Sequence, residues 1–406
     1  MAKRISAANW RKIEAALAAD PALFGLPEGG REASLVFASF NLRKLGKRKN
    51  REAELDFLAR FCARCDLVAI QEVQDDLEGL RFLKERMESA VAGDGEFGIL
   101  VSDITGEVPG EPGMAERLAF IYRWRRITRL DLASDLTIDR TSVLANFFGN
   151  EAGLVAERRS FETQMARFTA GKRKTAPTYT PPAFVTFVRT PHVAAFEARA
   201  ANDQPPLHFA AVNAHLVFGT VSERRQEFEA LLRWIIFRLK AERRLVAPNF
   251  ILLGDLNLKF DKPGSDRGVI EERIRHFNTE AFGDPDRRRV YFPFIDPHPR
   301  TGKVIRTAAR SEQTFDQIAF FRASAEERLP DDRWRAVVDP GNPDGFDYGV
   351  FNFADLFARA IKGKPYQALT KAERSELGNQ FQHSVSDHLP IWVRIPRPGF
   401  APPPRV

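Results

Sequence analysis

Residues 250–257 read Phe-Ile-Leu-Leu-Gly-Asp-Leu-Asn, an apolar run that ends on a glycine, a carboxylate and a carboxamide. A short apolar run bounded by turn-forming residues is typical of a buried strand. Asp255 and Asn257 therefore stand at the end of a predicted strand. Polar side chains at the borders of buried strands recur along this chain, and that recurrence is its main functional signal.

Five further predicted strands are bordered by polar residues of the same kind. They are Asn41 after residues 35–40, Gln71 and Glu72 after 66–70, Asn213 and His215 closing the strand that starts at Leu207, Asp316 within 315–321, and Asp387 and His388 before 389–395. Carboxylates together with carboxamides are hard oxygen ligands, which suit Mg²⁺ or Mn²⁺ rather than zinc. Each element alone has an ordinary structural explanation, such as a turn, a helix cap or a buried histidine. Their occurrence together favours a site.

The remaining pattern predicts a layered fold. Apolar residues at helical spacing predict helices at 8–19, 51–64, 75–91 and 222–242, and further strands are predicted at 97–101, 117–122 and 183–189. The fourth helix has a cap at Ser222 but no capping box, because Arg225 stands three residues later. Strands at irregular spacing, with helices between some of them, predict an α/β (α+β) fold. Two sheets packed face to face and covered by helices fit this pattern.

Composition excludes several classes of protein. The 406 residues are 44% hydrophobic and 28% charged, which excludes collagen-like, coiled-coil and wholly disordered chains. No apolar run approaches the roughly 18 residues that cross a bilayer, and no secretory signal is visible, so we expect a cytoplasmic protein without a membrane partner. Cys62 and Cys65 lack the second pair that would complete a zinc site, so we expect two thiols on an amphipathic helix.

Charge gives a modest indication of the partner. The 61 Lys and Arg against 54 Asp and Glu leave a net charge of +7, which is common in proteins that meet polyanions but also in basic enzymes that do not. Residues 134–182 are polar, basic and proline-rich, which predicts an insertion or a mobile arm. This segment could contact a substrate backbone or a partner subunit.

Eight motifs, in order between residues 35 and 395, resemble the endonuclease/exonuclease/phosphatase superfamily, the fold group of deoxyribonuclease I. They are Ser39-Phe-Asn-Leu42, Val68-Ala-Ile-Gln-Glu-Val73, Glu116-Arg-Leu-Ala-Phe-Ile-Tyr-Arg123, Arg189-Thr-Pro-His-Val-Ala-Ala-Phe196, Val212-Asn-Ala-His-Leu216, Leu253-Gly-Asp-Leu-Asn257, Thr314-Phe-Asp-Gln-Ile318 and Ser386-Asp-His-Leu-Pro390. The resemblance implies a four-layer α/β sandwich of two central, mainly antiparallel sheets flanked by helices. It divides the chain into an N-terminal helical extension (1–33), a catalytic domain (34–396) and a Pro-rich tail (397–406).

The resemblance also implies a metal site and a water-activating pair. Glu72 resembles the chief ligand of a Mg²⁺ or Mn²⁺ ion, with Asn41 beside it and Asp387 near the same ion. Asp255 and Asn257 resemble the pair that orients the attacking water and contacts the phosphate. A divalent cation in such a site stabilises the transition state by several kcal/mol.

Two histidines complete the implied catalytic set. His388, with Asp316 behind it, resembles the histidine that acts as a base or phosphate contact. His215 resembles a second histidine that contacts phosphate or assists the leaving group. The residues expected to line the phosphate pocket are Arg117, Tyr122 and Asn213. An edge salt bridge remains an alternative role for Arg117, and packing is an equal alternative for Tyr122.

Fold and catalytic set do not choose the substrate, because the superfamily includes DNA nucleases, RNA deadenylases and phosphatases of small and lipid phosphates. DNA is favoured by the motifs that begin at Glu116 and Arg189 and by four basic clusters. These clusters are Arg43-Lys44, Lys47-Arg-Lys49, Lys172-Arg-Lys174 and Arg287-Arg-Arg289. The alternatives are a phosphatase or phosphodiesterase acting on a small or lipid phosphate, and a catalytically silent nucleic-acid-binding protein.

Overall fold

The computed structural model describes residues 4–29, 32–46, 52–74, 76–91, 96–105, 115–177, 179, 182–184, 186–241, 247–260, 266–283, 289–323, 329–339 and 342–400. The strands are β1 (Ser34–Leu45), β2 (Leu67–Gln74), β3 (Phe97–Val101), β4 (Glu116–Arg123), β5 (Ile127–Asp135), β6 (His192–Ala198), β7 (Leu207–His215), β8 (Asn249–Asp255), β9 (Val290–Tyr291), β10 (Asp316–Arg322), β11 (Asp347–Val350) and β12 (Ile391–Pro396). The α-helices are α1 (Ala7–Ala19), α2 (Glu52–Cys62), α3 (Glu78–Ala90), α4 (Arg140–Gly149), α5 (Glu151–Thr169), α6 (Val221–Lys240), α7 (Asp266–His276), α8 (Phe353–Lys362) and α9 (Lys371–Ser384).

These strands form two six-stranded sheets. Sheet I has the order β11-β12-β1-β2-β4-β3, and sheet II has the order β5-β6-β7-β8-β10-β9. The pairs β1–β2 and β7–β8 are parallel, and the other neighbours are antiparallel. The predicted sandwich of two mainly antiparallel sheets is therefore confirmed.

Alternation along the strands builds the layers. In β1, Leu35 and Phe37 point into the apolar core between the sheets, whereas Val36, Ala38 and Phe40 point into a second core under the helices. That second core contains residues of α1, α2, α3, α8 and α9. A third core lies between sheet II and the helices α6 and α7. The order helices, sheet, sheet, helices makes four layers.

The N-terminal helix is part of this packing. Trp10 of α1 contacts the ring of Phe57 at 5.5 Å between centroids and that of Phe357, edge-on, at 5.7 Å. These contacts join α1 to α2 and α8, so the predicted extension contributes to the helical layer over sheet I. None of the described helices is both long and apolar enough to span a bilayer.

Two local predictions were wrong. Residues 183–189 form no strand among the described positions, because the backbone N–H of Val188 donates to the Glu227 carboxylate at 2.7 Å instead of to a neighbouring strand. Helix α6 is capped by Thr220, not Ser222, and its hydroxyl and Glu223 form a full capping box.

The segment between β5 and β6 is residues 136–191, longer than the predicted 134–182. It contains the two helices α4 and α5, neither of which buries any residue fully. After α5, Tyr179 packs edge-on against Phe161 of that helix, with 5.7 Å between the ring centroids. We call residues 136–191 the helical insertion.

The two parallel pairs determine where the site lies. In a parallel pair both carboxyl ends reach the same edge of the sheet. Asn41 lies opposite Gln71 just before the irregularity in the β1–β2 pairing, and His215 lies opposite Asp255 at the end of β7–β8. Gly254 allows the close approach of β8 to β7, because a Cβ atom there would be 1.9 Å from the carbonyl oxygen of Ala214. The polar ends of four strands are thereby gathered on one rim.

Candidate active site

Two histidine–carboxylate pairs converge on the buried Asp255. His388 Nδ1 donates to Asp316 Oδ2 at 2.9 Å, and His388 Nε2 lies 3.4 Å from Asp255 Oδ2. From the other side, His215 Nε2 lies 3.6 Å from the same Asp255 oxygen, and His215 Nδ1 lies 3.2 Å from Glu116 Oε2. All five side chains are mostly buried, so their charges act on one another with little solvent screening.

Strand register accounts for three of these positions. Asp255 of β8 pairs directly with Asp316 of β10 and with His215 of β7. Neighbouring strands are about 4.8 Å apart, so the three side chains are neighbours by construction. The approach of His388 is fixed by Ser386, whose hydroxyl accepts from the His388 backbone N–H at 3.0 Å and donates to the Asn41 carbonyl at 2.6 Å.

Asn41 connects the two sheets at the site. Its Nδ2 donates to Glu72 Oε1 at 3.1 Å and to Asp255 Oδ2 at 3.2 Å, while its Oδ1 accepts from the Arg43 backbone N–H at 3.0 Å. Glu72 has the positive φ of 58°, where the pairing of β2 with β4 shifts register. Such a bulge re-aims a side chain, and here it brings the Glu72 carboxylate within 4.8 Å of ligand atoms of Glu116 and His215.

The buried charges shift one another. Burial alone would lower the pKa of His388, but the carboxylates of Asp316 and Asp255 raise it well above its ordinary value. For the carboxyl group of Asp255 burial acts in the opposite direction and would raise the pKa. His388, His215 and the N–H of Asn257 outweigh this effect, so the pKa of Asp255 is lowered. The pKa of Asp316 is raised by burial and by the neighbouring Asp255 charge, against the opposing effect of His388. At neutral pH this arrangement favours a cationic His388 beside an anionic Asp255.

Glu116 and Arg189 form a supporting pair that sequence reasoning did not assign to the site. Arg189 Nε donates to Glu116 Oε1, and Arg189 Nη1 donates to the Leu216 carbonyl at 3.1 Å. Burial raises the pKa of Glu116, but His215 and Arg189 outweigh it, so the pKa is lowered. Glu116 is therefore a carboxylate that holds the Nδ1–H of His215. Both residues begin motifs quoted above, and a charge at the start of an apolar strand was the available signal.

Asn257 and Asp387 lie beside the cluster. The backbone N–H of Asn257 donates to Asp255 Oδ1 at 3.0 Å, and its amide donates to the Leu216 carbonyl at 2.7 Å. Asp387, next to His388, pairs with Arg43 Nε at 3.3 Å. Both are at the rim as the sequence predicted, although their contacts are to the protein itself.

Asn213 joins the sheets in the interior. Its amide donates to the carbonyls of Ile70 and Ala119 at 3.0 and 2.9 Å, and its oxygen accepts from Gln71 Nε2 at 2.7 Å. Its amide hydrogens are thus directed to backbone carbonyls. Its predicted contact with phosphate stays a prediction.

Two predicted residues are not brought to the cluster. Arg117 follows Glu116 on β4, so its side chain leaves the opposite face, where Nη1 donates to the Ser102 carbonyl at 2.8 Å. Tyr122 lies six positions along β4, about 20 Å from Glu116, and its ring packs against Phe196 at 5.4 Å between centroids. Arg117 Nη1 also lies 3.4 Å from Asp103 Oδ1. The contacts of the two residues therefore match the salt-bridge alternative for Arg117 and the packing alternative for Tyr122.

The donor set fits a hard divalent cation. Among the residues that the structure describes, Glu72 has a neutral amide partner and no cationic one, while Glu116, Asp255 and Asp316 each face an imidazole or guanidinium. Glu72 is half-buried, and ligand atoms of Glu116 and His215 stand within 4.8 Å of its carboxylate. A carboxylate of this kind suits Mg²⁺ or Mn²⁺.

No family model matches the sequence, and no curated protein matches it. Solved structures do match. They include an endonuclease/exonuclease/phosphatase family protein from Bacteroides thetaiotaomicron (13% identity, 89% of this chain and 97% of that chain, TM-score 0.42), TDP2 of D. rerio complexed with single strand DNA product (14%, 89% and 99%, 0.42) and the human Nocturnin catalytic domain (12%, 90% and 93%, 0.44).

The chain resembles the endonuclease/exonuclease/phosphatase superfamily. Its eight ordered motifs carry the resemblance in sequence, and its two-sheet sandwich with a rim site carries it in structure. In this chain the superfamily motifs supply Asn41, Glu72, Asp255 and His388 to a single rim.

Proposed function

We propose that this protein is a metal-dependent phosphodiesterase and that its substrate is DNA. The observation that carries the proposal is the convergence of two buried pairs, His388–Asp316 and His215–Glu116, on the carboxylate of Asp255. Hydrolysis of a phosphodiester needs a group that accepts a proton from water, cationic groups that face the phosphate, and a donor for the leaving oxygen. This cluster contains groups suited to each task.

Asp255 is the group suited to the attacking water. Its lowered pKa keeps it ionised, and the Asn257 N–H and the Asn41 amide hold one of its oxygens each. A fixed, ionised carboxylate can orient water and accept its proton. Its position between His388 and His215 places this step next to both imidazoles.

The two imidazoles are suited to the phosphate oxygens and to the leaving oxygen. Cationic His388 can hold a non-bridging oxygen of the phosphate, since the carboxylate of Asp316 fixes its orientation and favours its charged form. His215, held at Nδ1 by Glu116, presents Nε2 to the site and can contact the leaving oxygen. Glu72, with Asn41 and Asp387 as predicted further ligands, would hold the cation, which when bound neutralises charge on the phosphate oxygens.

The DNA assignment rests on basic charge. Lys172, Arg173 and Lys174 form an exposed basic turn after α5, in the insertion that leaves the sandwich at the rim. When such groups neutralise the phosphates of a polynucleotide, condensed counterions are released to the solvent, which favours binding. Arg43 has contacts within the protein, to Asp387 and to the Gln382 carbonyl, while Lys47–Lys49 and the first two residues of Arg287–Arg289 lie outside the described residues.

The test is a substrate panel with Mg²⁺ or Mn²⁺, comprising plasmid DNA, single-stranded DNA, RNA and inositol phosphates. We expect cleavage of DNA that EDTA abolishes and that His388→Ala lowers by about 10²- to 10⁴-fold. His208→Ala is the matched control, because His208 also pairs with a carboxylate, Glu197 at 2.9 Å, at the opposite end of β7.

Three outcomes would count against the proposal. Cleavage of inositol phosphates without cleavage of DNA would favour the phosphatase alternative. Full activity in EDTA would exclude a requirement for a metal ion. Binding of DNA without metal binding or turnover would favour a silent binding protein.

A further inference from the structure

Three apolar side chains are exposed beside the proposed catalytic cluster. Val188, Phe218 and Val221 keep 41%, 67% and 46% of their surface in solvent. Phe218 comes three residues after His215, and the intervening Leu216 and Val217 are buried. We call these three exposed side chains the Phe218 patch.

Hydrogen bonds hold the backbone of this patch in place. The buried Glu227 carboxylate accepts from the N–H of Val188 and from the N–H of Val217, both at 2.7 Å, which brings the two segments together. On the other side of Phe218, Thr220 and Glu223 form the capping box of α6. Phe218 therefore stands between two fixed points, and its ring is presented to solvent on a braced loop.

The helical insertion leaves the sandwich next to the patch. Its first and last neighbours, Asp135 and His192, pair across β5–β6, and their side chains meet at 2.9 Å. His192 pairs in turn with Asn213, two residues before His215. Residues 136–191 carry eight Lys or Arg against four Asp or Glu. The exposed aromatic ring therefore lies near the point where a segment of net positive charge leaves the rim.

We propose that the Phe218 patch stacks an unpaired base of a polynucleotide whose scissile phosphate lies at Asp255. This inference rests on the proposed function and narrows its substrate to single-stranded polynucleotide. Exposed aromatic rings in a basic environment bind single strands because every base has a face that can stack, whatever its identity. A base inside a duplex is already stacked on both faces, so a duplex gains nothing from Phe218.

Other occupants fit the patch less well. A stable protein interface buries about 800 Å² on each partner, far more than three side chains expose. A membrane-binding surface uses the whole apolar face of a helix, whereas Val221 is at the first position of α6 and the next exposed large apolar side chain on that helix is Phe237. The net positive charge of the helical insertion, which leaves the sandwich next to the patch, favours a polyanion.

The experiment measures binding separately from turnover. A fluorescein-labelled single strand is titrated with the full-length protein in Ca²⁺ and followed by fluorescence anisotropy. A duplex of the same sequence and a strand of the same length that lacks every base are titrated in parallel. We expect Phe218→Ala to raise the Kd for the single strand by about 5- to 150-fold, which corresponds to the 1 to 3 kcal/mol of one stacked base. Binding of the baseless strand should not change.

Phe237→Ala is the matched control. Phe237 is 66% exposed, almost the same as Phe218, but lies sixteen residues along α6 from Val221, about 24 Å from the rim. It should leave every Kd unchanged, and Phe218→Trp should retain tight binding. Circular dichroism would show that the variants are folded.

Several results would overturn the inference. An equal loss for the single strand and the baseless strand would mean that Phe218 does not stack a base, and equal binding of duplex and single strand would mean the same. A change of oligomeric state in Phe218→Ala would assign the patch to a second copy of the chain. Because anisotropy does not depend on turnover, failure here is distinguishable from failure of the DNA panel, which is read by product formation.

Discussion

Replacing Glu116 by Gln tests the supporting pair. The carboxylate of Glu116 accepts from Arg189 and from His215 Nδ1, and both Glu116 and Arg189 side chains are at least nine-tenths buried. Removing one partner of a buried ion pair costs about 3 to 5 kcal/mol, because the other charge is left uncompensated. Gln can still accept from Arg189, so we expect a loss of about 3 kcal/mol in the free energy of unfolding.

The same change should affect catalysis. The amide of Gln would donate to His215 Nδ1, which forces the proton to Nε2, the nitrogen that faces Asp255 at 3.6 Å. An imidazole protonated only at Nε2 is a far weaker acid than one whose Nδ1–H is also held by a carboxylate. Proton donation to the leaving oxygen is therefore weakened, and we expect kcat to fall by about 10²- to 10⁴-fold. Hydrolysis of a chromogenic phosphodiester with Mn²⁺ gives the rate, and urea unfolding gives the stability.

Asp66→Asn is the control for stability without catalysis. Asp66 is also a buried carboxylate, accepting from the Val36 N–H at 2.8 Å and facing Arg126 at 3.3 Å, but it lies before β2, at the far end from Glu72. It should destabilise the protein and leave kcat unchanged. A Glu116→Gln variant that is destabilised but fully active would refute the positioning role.

The stability effect of Glu116 should also depend on pH. Because the pKa of Glu116 is lowered in the folded protein, its stabilisation is present above its ordinary pKa of 4.5 and is lost as pH falls through the folded value. The difference in unfolding free energy between the native protein and Glu116→Gln should therefore be largest near neutral pH and shrink below pH 4.5. A difference that is constant across this range would contradict the assignment.

Three further predictions concern other parts of the molecule. Gly254→Ala should lower the free energy of unfolding by about 1 to 3 kcal/mol, because the new Cβ would meet a carbonyl of β7. The control Gly149→Ala lies in open space at the end of α4 and should be neutral or stabilising. Equal urea midpoints for the two variants would refute the packing argument. Burial raises the pKa of Cys62 to about 12 and that of Cys65 well above its ordinary value. Neither thiol should therefore react with a disulfide reagent at pH 8 until urea unfolds the chain. Rapid labelling of the native protein would contradict this burial. Because the pKa of His388 is raised in the folded protein, the stabilisation by His388 is complete below pH 6.5 and is lost as pH rises through the pKa of the folded state. His388→Gln should therefore destabilise the protein most in mildly acidic buffer and least in alkaline buffer. Urea titrations at several pH values measure this difference.

The buried apolar strands, and the polar residues that border them, were the most predictable part of the fold and of the site. Apolar runs placed β7, β8 and β10 to within two residues, and the starts of β1 and β2 to within one, because a buried strand needs continuous apolar side chains whatever its neighbours. The sequence did not predict the parallel pairing of β1 with β2 and of β7 with β8, and this pairing helps to gather Asn41, Glu72, His215 and Asp255. The order of motifs in the sequence was enough to predict this gathering.

The sequence did not predict to which face of a sheet a side chain points, or how far along a strand it lies from the site. Glu116 and Arg117 are adjacent in the chain, yet the pleat of β4 sends Glu116 to the site and Arg117 away from it. Tyr122 shares the face of Glu116 but lies at the other end of the strand. The helices α4 and α5 were missed because they bury no residue fully, so the apolar periodicity that reveals a packed helix is weak in them.

Asn41 hydrogen-bonds Glu72 within its own sheet and Asp255 in the other, so the proposed activity depends on the contact between the two sheets. Neither half of the sandwich holds a working subset of groups, so separating the sheets by a few ångströms dismantles the chemistry before any strand unravels. Loss of turnover during gentle denaturation should thus precede loss of secondary structure, making catalysis a sensitive gauge of how tightly the two halves are pressed together.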